Sequence, residues 1–152
     1  MRIAFDTNIL AYLAGVKRAS ADPEKIHRAR HVVRHLNNEH HFVVATQVLG
    51  ELLNVLLRSG IEHQDARMIV RRYSDQYEIV ASDQACFEQA FELVVDHRMQ
   101  VWDALIVTTS ARAGCELLLS EHMQYGFAVL GITVLNAVAT HPHSQLVALL
   151  DG

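Results

Sequence analysis

The chain has 152 residues, 51% of them hydrophobic and 20% charged, with 13 Lys+Arg against 17 Asp+Glu for a formal charge of −4. That length predicts a single domain over residues 1–152, and the apolar content excludes disorder, collagen-like repeats and small disulfide scaffolds. An acidic balance supplies no global positive field, so any contact with nucleic acid must be local.

In chain order, short apolar runs alternate with long helical patterns. Strands are predicted at Arg2–Phe5, Phe42–Ala45, Tyr77–Val80, Glu116–Leu119 and Ile132–Leu135, each rich in Ile, Val, Leu or Phe as buried central strands are. Asp22-Pro23-Glu24 reads as an N-cap, a first-turn proline and a first-turn acid, opening a helix to about Asn38. Thr46 caps a second helix to about Arg58, ended by Ser59-Gly60. Helices at Glu62–Gln76, Asp83–Arg98, Val101–Ala113 and His143–Leu150 follow. The pattern predicts an α/β fold, a three-layer helix/sheet/helix sandwich around a central parallel five-stranded sheet. Cys86 and Cys115 lack metal spacing and read as reduced, packed thiols, consistent with the cytoplasm. Neither a signal peptide nor a membrane helix fits, because even the longest nearly apolar run, Phe127 to Ala139, contains Thr133 and Asn136.

In open α/β sheets ligands bind beyond the carboxyl ends of the strands, and polar residues cluster at those places. Asp6-Thr7-Asn8 directly follows the first strand, where Asp6 is either a helix N-cap or a site acid. Glu51 belongs to the stripe Gln47, Glu51, Asn54 and Arg58 on an otherwise aliphatic helix, a stripe facing either bulk water or a cleft. Asp103 sits in a first helical turn, where the helix dipole favours a carboxylate whatever its role. A further polar loop, Ser120-Glu121-His122, follows the fourth strand. Acids gathered this way raise one another's pKa, which oxygen-loving divalent cations such as Mg²⁺ or Mn²⁺ relieve.

With these residues in place, the chain resembles the PIN-domain family of metal-dependent ribonucleases, in particular the VapC-type toxins of toxin–antitoxin pairs. The resemblance rests on Ile3-Ala4-Phe5-Asp6-Thr7-Asn8-Ile9-Leu10, Glu51-Leu52-Leu53-Asn54-Val55, Trp102-Asp103-Ala104-Leu105-Ile106 and Leu118-Leu119-Ser120-Glu121-His122-Met123-Gln124-Tyr125-Gly126. It implies that Asp6, Glu51 and Asp103 are metal-binding catalytic acids, with Thr7, Asn8 and Ser120 as polar support. It also implies hydrolysis of RNA phosphodiesters with Mg²⁺ or Mn²⁺, a homodimer and an inhibiting antitoxin, as in a type II toxin–antitoxin pair. One departure stands out: His122 occupies the place where such relatives carry a fourth acid. Either Glu121 substitutes, or His122 supplies a nitrogen that Mn²⁺ tolerates better than Mg²⁺, or a second metal site is empty and hydrolysis is reduced. The alternative reading is a catalytically weak PIN-like module that binds RNA or protein.

Positive charge concentrates in Lys17, Arg18, Lys25, Arg28, Arg30 and Arg34, with Arg67, Arg71 and Arg72 as a second cluster. Of these, Lys25, Arg28, Arg30 and Arg34 are candidates for RNA phosphate contacts, against the plainer reading of a solvated helix. His27, His31 and His35 recur at i, i+4, i+8, a metal-capable spacing that reads better as a solvated face. Tyr12, Leu13 and Val16 are either core or a partner surface. A haloacid-dehalogenase-type phosphatase would need Asp-x-Asp, and a receiver domain a Lys after a late strand; neither fits, since the only lysines are Lys17 and Lys25.

Overall fold

Both faces of β1 (Arg2–Phe5) are covered: Ile3, Ala4 and Phe5 have no exposed surface, as expected of a continuous apolar strand at the centre of a parallel sheet. The computed structural model describes residues 1–17 and 19–152. Arg18, counted in the basic stretch, lies outside the described residues.

The remaining elements follow in order: α1 (Thr7–Leu13), α2 (Asp22–Leu36), β2 (His41–Ala45), α3 (Thr46–Arg58), α4 (His63–Gln76), β3 (Glu78–Val80), α5 (Gln84–His97), α6 (Val101–Arg112), β4 (Leu117–Leu119), β5 (Ala128–Val129), β6 (Ile132–Leu135) and α7 (Ser144–Asp151). The sheet runs β3-β2-β1-β4-β6-β5. Every neighbouring pair is parallel except β5 with β6. The α/β sandwich and its parallel centre are as expected, but the strand count is six among the described residues rather than five. The sixth, β5, is antiparallel and joins β6 through Leu130-Gly131, both at positive φ (54° and 80°). Two left-handed residues in a two-residue loop make the mirror-type hairpin turn that matches strand twist. Leucine there lacks the usual Asn or Asp signature, so the sequence hides the hairpin.

Capping chemistry sets most helix starts. Asp83 accepts a hydrogen bond from the Cys86 amide (2.9 Å), and Glu62 one from the His63 amide (3.0 Å). Two predicted caps act otherwise. Thr46 is already the first helical residue, preceded by Ala45 in extended conformation with no side-chain cap. Asp22 lies inside α2, is buried, and takes the Ala19 amide at 2.7 Å, closing the preceding loop instead of capping the helix. β3 is also no central strand: it forms one edge, and Glu78 there is held by Arg2 (2.7 and 3.0 Å) and His41 (2.7 Å). Hydrogen bonds from Arg2 and His41 push the Glu78 carboxyl down to about 2.

α3 shows how the helices are fixed. Val48, Leu52 and Leu56 are fully buried against the sheet, each leucine contributing about 1.5–3 kcal/mol of burial free energy. This packing rotates the helix so that Gln47, Glu51, Asn54 and Arg58 share the opposite stripe. Tyr12 and Val16 are core residues, and Leu13 is half-buried beside them. Cys86 and Cys115 are buried and unpaired, and burial raises the Cys115 thiol to about 11. No helix among the described residues is long and apolar enough to cross a membrane.

Candidate active site

The chain visits β1, β2 and β3 on one side of the sheet and then crosses to β4 on the other side of β1. The carboxyl ends of β1 and β4 therefore flank the switch point at which such sheets bind ligands. Phe5 pairs with Leu119, and the Asp6 amide donates to the Leu119 carbonyl at 2.9 Å, so the next residue of each strand, Asp6 and Ser120, meet at this edge.

Asp6 is the N-cap of α1 and also lines a cleft, so the two sequence readings do not exclude each other. One carboxylate oxygen accepts from the Thr7 amide (2.6 Å) and the other from the Ser120 hydroxyl (2.7 Å), with only 4% of the residue exposed. Burial raises its pKa and Glu51 adds to the rise, while the bonds from Ser120 and Thr7 oppose it; the net shift is upward. The Thr7 hydroxyl donates to Glu51 at 2.8 Å, and Gln47 donates to the other Glu51 oxygen at 2.7 Å. Asp103 arrives from the first turn of α6, where Gln100 caps the helix by accepting from the Trp102 and Asp103 amides (2.9 and 3.0 Å). Burial first, then repulsion from Asp6 and Glu51, lifts the Asp103 carboxyl to about 6.

Asp6, Thr7, Asn8, Glu51, Asp103 and His122 line one cleft of about 710 Å³. The whole α3 stripe, Gln47, Glu51, Asn54 and Arg58, borders it too, so the stripe faces a cleft. Ser120, fully buried, acts from beneath through Asp6. Sequence reasoning gave no functional role to Arg58 and Trp102, which also line the cleft; Trp102 is 48% exposed, large for a Trp, and its place beside Asp103 was the available signal.

Glu121 stands apart from the cleft lining. It accepts from the Tyr12 hydroxyl at 2.5 Å and pairs with Lys25, whose ammonium lies 5.9 Å from the Tyr12 ring centroid. Burial acts to raise its pKa, but the bonds from Lys25 and Tyr12 outweigh that and hold it below the ordinary range. His122 borders the cleft with its side chain 63% exposed, and its charge would lower the pKa of Asp103 and Asp6.

The candidate phosphate contacts on α2 do not line the cleft. Lys25 is engaged by Glu121, Arg28 donates to the Val138 carbonyl and Glu24 (both 3.1 Å), and Arg30 donates to the Leu13 carbonyl (3.2 Å). Arg34 points elsewhere, into cavities away from the acids. His27, His31 and His35 are exposed, as a solvated face is.

A divalent cation suits the donor chemistry of the cleft. Its acids repel one another, and no lysine or arginine bonds to Asp6, Glu51 or Asp103 among the described contacts. Among the described residues no group of three or more His, Cys, Asp or Glu is already gathered as a ligand cage. Mg²⁺ needs none, since it keeps several waters and takes one or two carboxylates together with substrate phosphate oxygens.

Comparison with known proteins bears on the fold. The fold is similar to VapBC2 from Rickettsia felis bound to a DNA fragment from their promoter, at 16% identity over 90% of this chain and 98% of that one, with a TM-score of 0.65. It is also similar to VapC20 from Mycobacterium tuberculosis, a Sarcin-Ricin loop cleaving toxin (21% identity, 76% and 86% of the two chains, TM-score 0.60). A toxin–antitoxin complex from Klebsiella pneumoniae matches at 18% identity over 86% and 95%, with a TM-score of 0.62. No curated protein matches by sequence. The PIN domain family, by contrast, matches residues 3–124, a span that contains every acid of the cleft. The chain belongs to the PIN domain family.

Proposed function

We propose that the protein is a metal-dependent endoribonuclease and the toxin of a type II toxin–antitoxin pair, with residues 1–152 acting as one PIN-like domain in the cytoplasm. The observation that carries this reading is the convergence of Asp6, Glu51 and Asp103 on one cleft with pKa values of Asp6 and Asp103 raised and no protein cation bonded to them. Asp6 and Asp103 would hold Mg²⁺ or Mn²⁺, which when bound supplies charge neutralisation for the phosphodiester and lowers the pKa of water.

The chain's own residues do the rest. Ser120 and the Thr7 amide fix both Asp6 oxygens, so that the carboxylate is already oriented before any ligand arrives. Glu51, held by Thr7 and Gln47, would accept a proton from attacking water at Oε1 or Oε2. Arg58 and Asn54 border the same cleft and supply donors for phosphate oxygens, and the half-exposed Trp102 offers a face on which a base can stack. Asn8 supports the same edge. An antitoxin partner belongs to this reading because the similar structures include toxin–antitoxin assemblies, and a homodimer belongs to it through the resemblance to the VapC-type toxins alone.

The test is cleavage of RNA by purified protein with Mg²⁺ or Mn²⁺ added. Asp6→Asn is expected to lower the rate by at least about 10³-fold; an unchanged rate in that variant sinks the assignment.

A second reading is favoured by one residue. His122 borders the cleft at the place where the resembling toxins carry an acid, so the protein would bind RNA or a protein partner while cleaving weakly. His122→Asp separates the two: a large gain in cleavage marks an impaired nuclease, and absence of cleavage with every metal marks a binding module.

A further inference from the structure

At the amino-terminal edge of the sheet, away from the acids, α2 and α4 enclose a second cavity of about 450 Å³. Arg30 and Arg34 enter from α2, and Arg72 from α4, so the cavity joins members of the two basic clusters that are separate in sequence. Asn37, Asn38 and Gln76 add side-chain donors, and no Asp or Glu is among the lining residues. In a chain of net charge −4, such a concentration of uncompensated guanidinium groups is local and specific.

The cavity is also built on rigid parts. Its aromatic wall is a stacked pair, Tyr73 and Tyr77, with ring centroids 5.9 Å apart and planes 15° from parallel. Tyr77 packs edge-on against Phe42 and Phe5, and Phe5 stacks on Phe42 at 4.6 Å, so the wall is anchored through to the sheet. The Tyr73 hydroxyl is tied to the Leu10 carbonyl at 3.3 Å, and Arg30 is oriented by the Leu13 carbonyl. Arg34 and Arg72 have no hydrogen bond or ion pair among the described contacts and keep their planar forks free, the geometry that takes phosphate oxygens in pairs. Arg34 also borders a neighbouring cavity that holds Glu39, which makes Arg72 and Arg30 the least compensated of the three.

We propose that this cavity is a phosphate-binding anchor for an RNA strand, remote from the acid cleft. The inference rests on the nuclease reading for its choice of ligand and adds the place where the substrate is gripped without being cut. α1 starts with Thr7 at the cleft and ends with Leu13 at the cavity, about 10 Å of helix at 1.5 Å per residue, so the two places lie at opposite ends of one short helix. Because guanidinium groups touch backbone oxygens and not base edges, the anchor adds affinity without sequence preference.

The test is fluorescence anisotropy of the full-length protein with a labelled RNA oligonucleotide in EDTA, where binding is read without cleavage, over a series of salt concentrations. The double variant Arg34→Ala/Arg72→Ala is expected to bind about tenfold more weakly, equally for unrelated sequences, and to lower the log–log salt slope by about 1.4 for a single strand. Arg34→Lys/Arg72→Lys keeps the charge without the planar fork, so it should restore the salt slope but only part of the affinity. Lys17→Ala/Arg112→Ala subtracts the same charge elsewhere and should shift binding far less; an equal loss in that control means general electrostatics and overturns the anchor. So does an unchanged affinity and salt slope in Arg34→Ala/Arg72→Ala while circular dichroism shows it folded. Inorganic phosphate is the competing arm: displacement of RNA from the wild type but not from the alanine variant at equal ionic strength locates a phosphate site in the cavity, and displacement that is the same for both overturns it. If the wild type binds RNA in this manner but never cleaves it with any metal, the nuclease reading fails and the anchor stands.

Discussion

Asp103 and Glu121 are both carboxylates at the carboxyl edge of the same sheet, yet their surroundings push them in opposite directions. Asp103 is raised to about 6 by burial and by the neighbouring acids. Glu121 is lowered because Lys25 and the Tyr12 hydroxyl outweigh its burial. The first is a carboxylate without a counter-charge beside a cleft; the second is a compensated strut joining β4's trailing loop to α1 and α2. Proximity to a motif does not make an acid a ligand. What separates the two is whether the protein supplies the positive partner itself or leaves that place for something that binds.

The comparison can be sharpened first through Ser120. Ser120→Ala removes both the donor to Asp6 Oδ2 and the acceptor for the Met123 amide; in protein that circular dichroism shows folded, cleavage or metal affinity should fall about 10–100-fold. Activity within twofold of wild type would mean that the Thr7 amide alone orients Asp6.

Next in size is the strut. Glu121→Ala strips Lys25 of its ion-pair partner in a mostly buried place and should cost about 1–2 kcal/mol, lowering Tm by several degrees in thermal unfolding. Loss of cleavage with no change in Tm would instead put Glu121 among the cleft acids.

The smallest effect carries the sign of the comparison. Folding raises the Asp103 pKa, so the folded chain holds that proton more tightly than the unfolded chain does. Its contribution is favourable below about pH 4 and is lost as pH climbs to about 6. At pH 7 without metal, Asp103→Asn should therefore stabilise the protein, by on the order of 1 kcal/mol because solvent screens a half-exposed carboxylate. Glu121 has the opposite sign: its contribution is present above the ordinary carboxylate range and is lost as pH falls. Thermal unfolding of Asp103→Asn and wild type from pH 4 to 8 checks this, and curves that stay parallel across that range would remove the claim that Asp103 is uncompensated.

Much of the architecture was legible because periodicity and punctuation act locally. Strand runs such as Arg2–Phe5 and Ile132–Leu135, and helix starts such as Asp83, need only nearest neighbours to be read. The β5–β6 hairpin escaped because Leu130-Gly131 lacks the residue types that announce two positive-φ positions. For the site, the stripe on α3 showed that Gln47, Glu51, Asn54 and Arg58 share a face, and the strand ends showed where Asp6 and Ser120 sit.

The amino-acid order by itself determined which residues lie on strands, which on helical stripes, and which acids stand at sheet edges, since these follow from the 2.0 and 3.6 residue periods of the backbone. Only the tertiary structure decided what each charge faces. It turned Glu121 toward Lys25 and Tyr12, left Asp6 and Asp103 facing a cleft, and brought Arg72 across to Arg30 and Arg34. Coulomb interactions depend on distance through space, and crossover connections bring together residues that no local pattern relates.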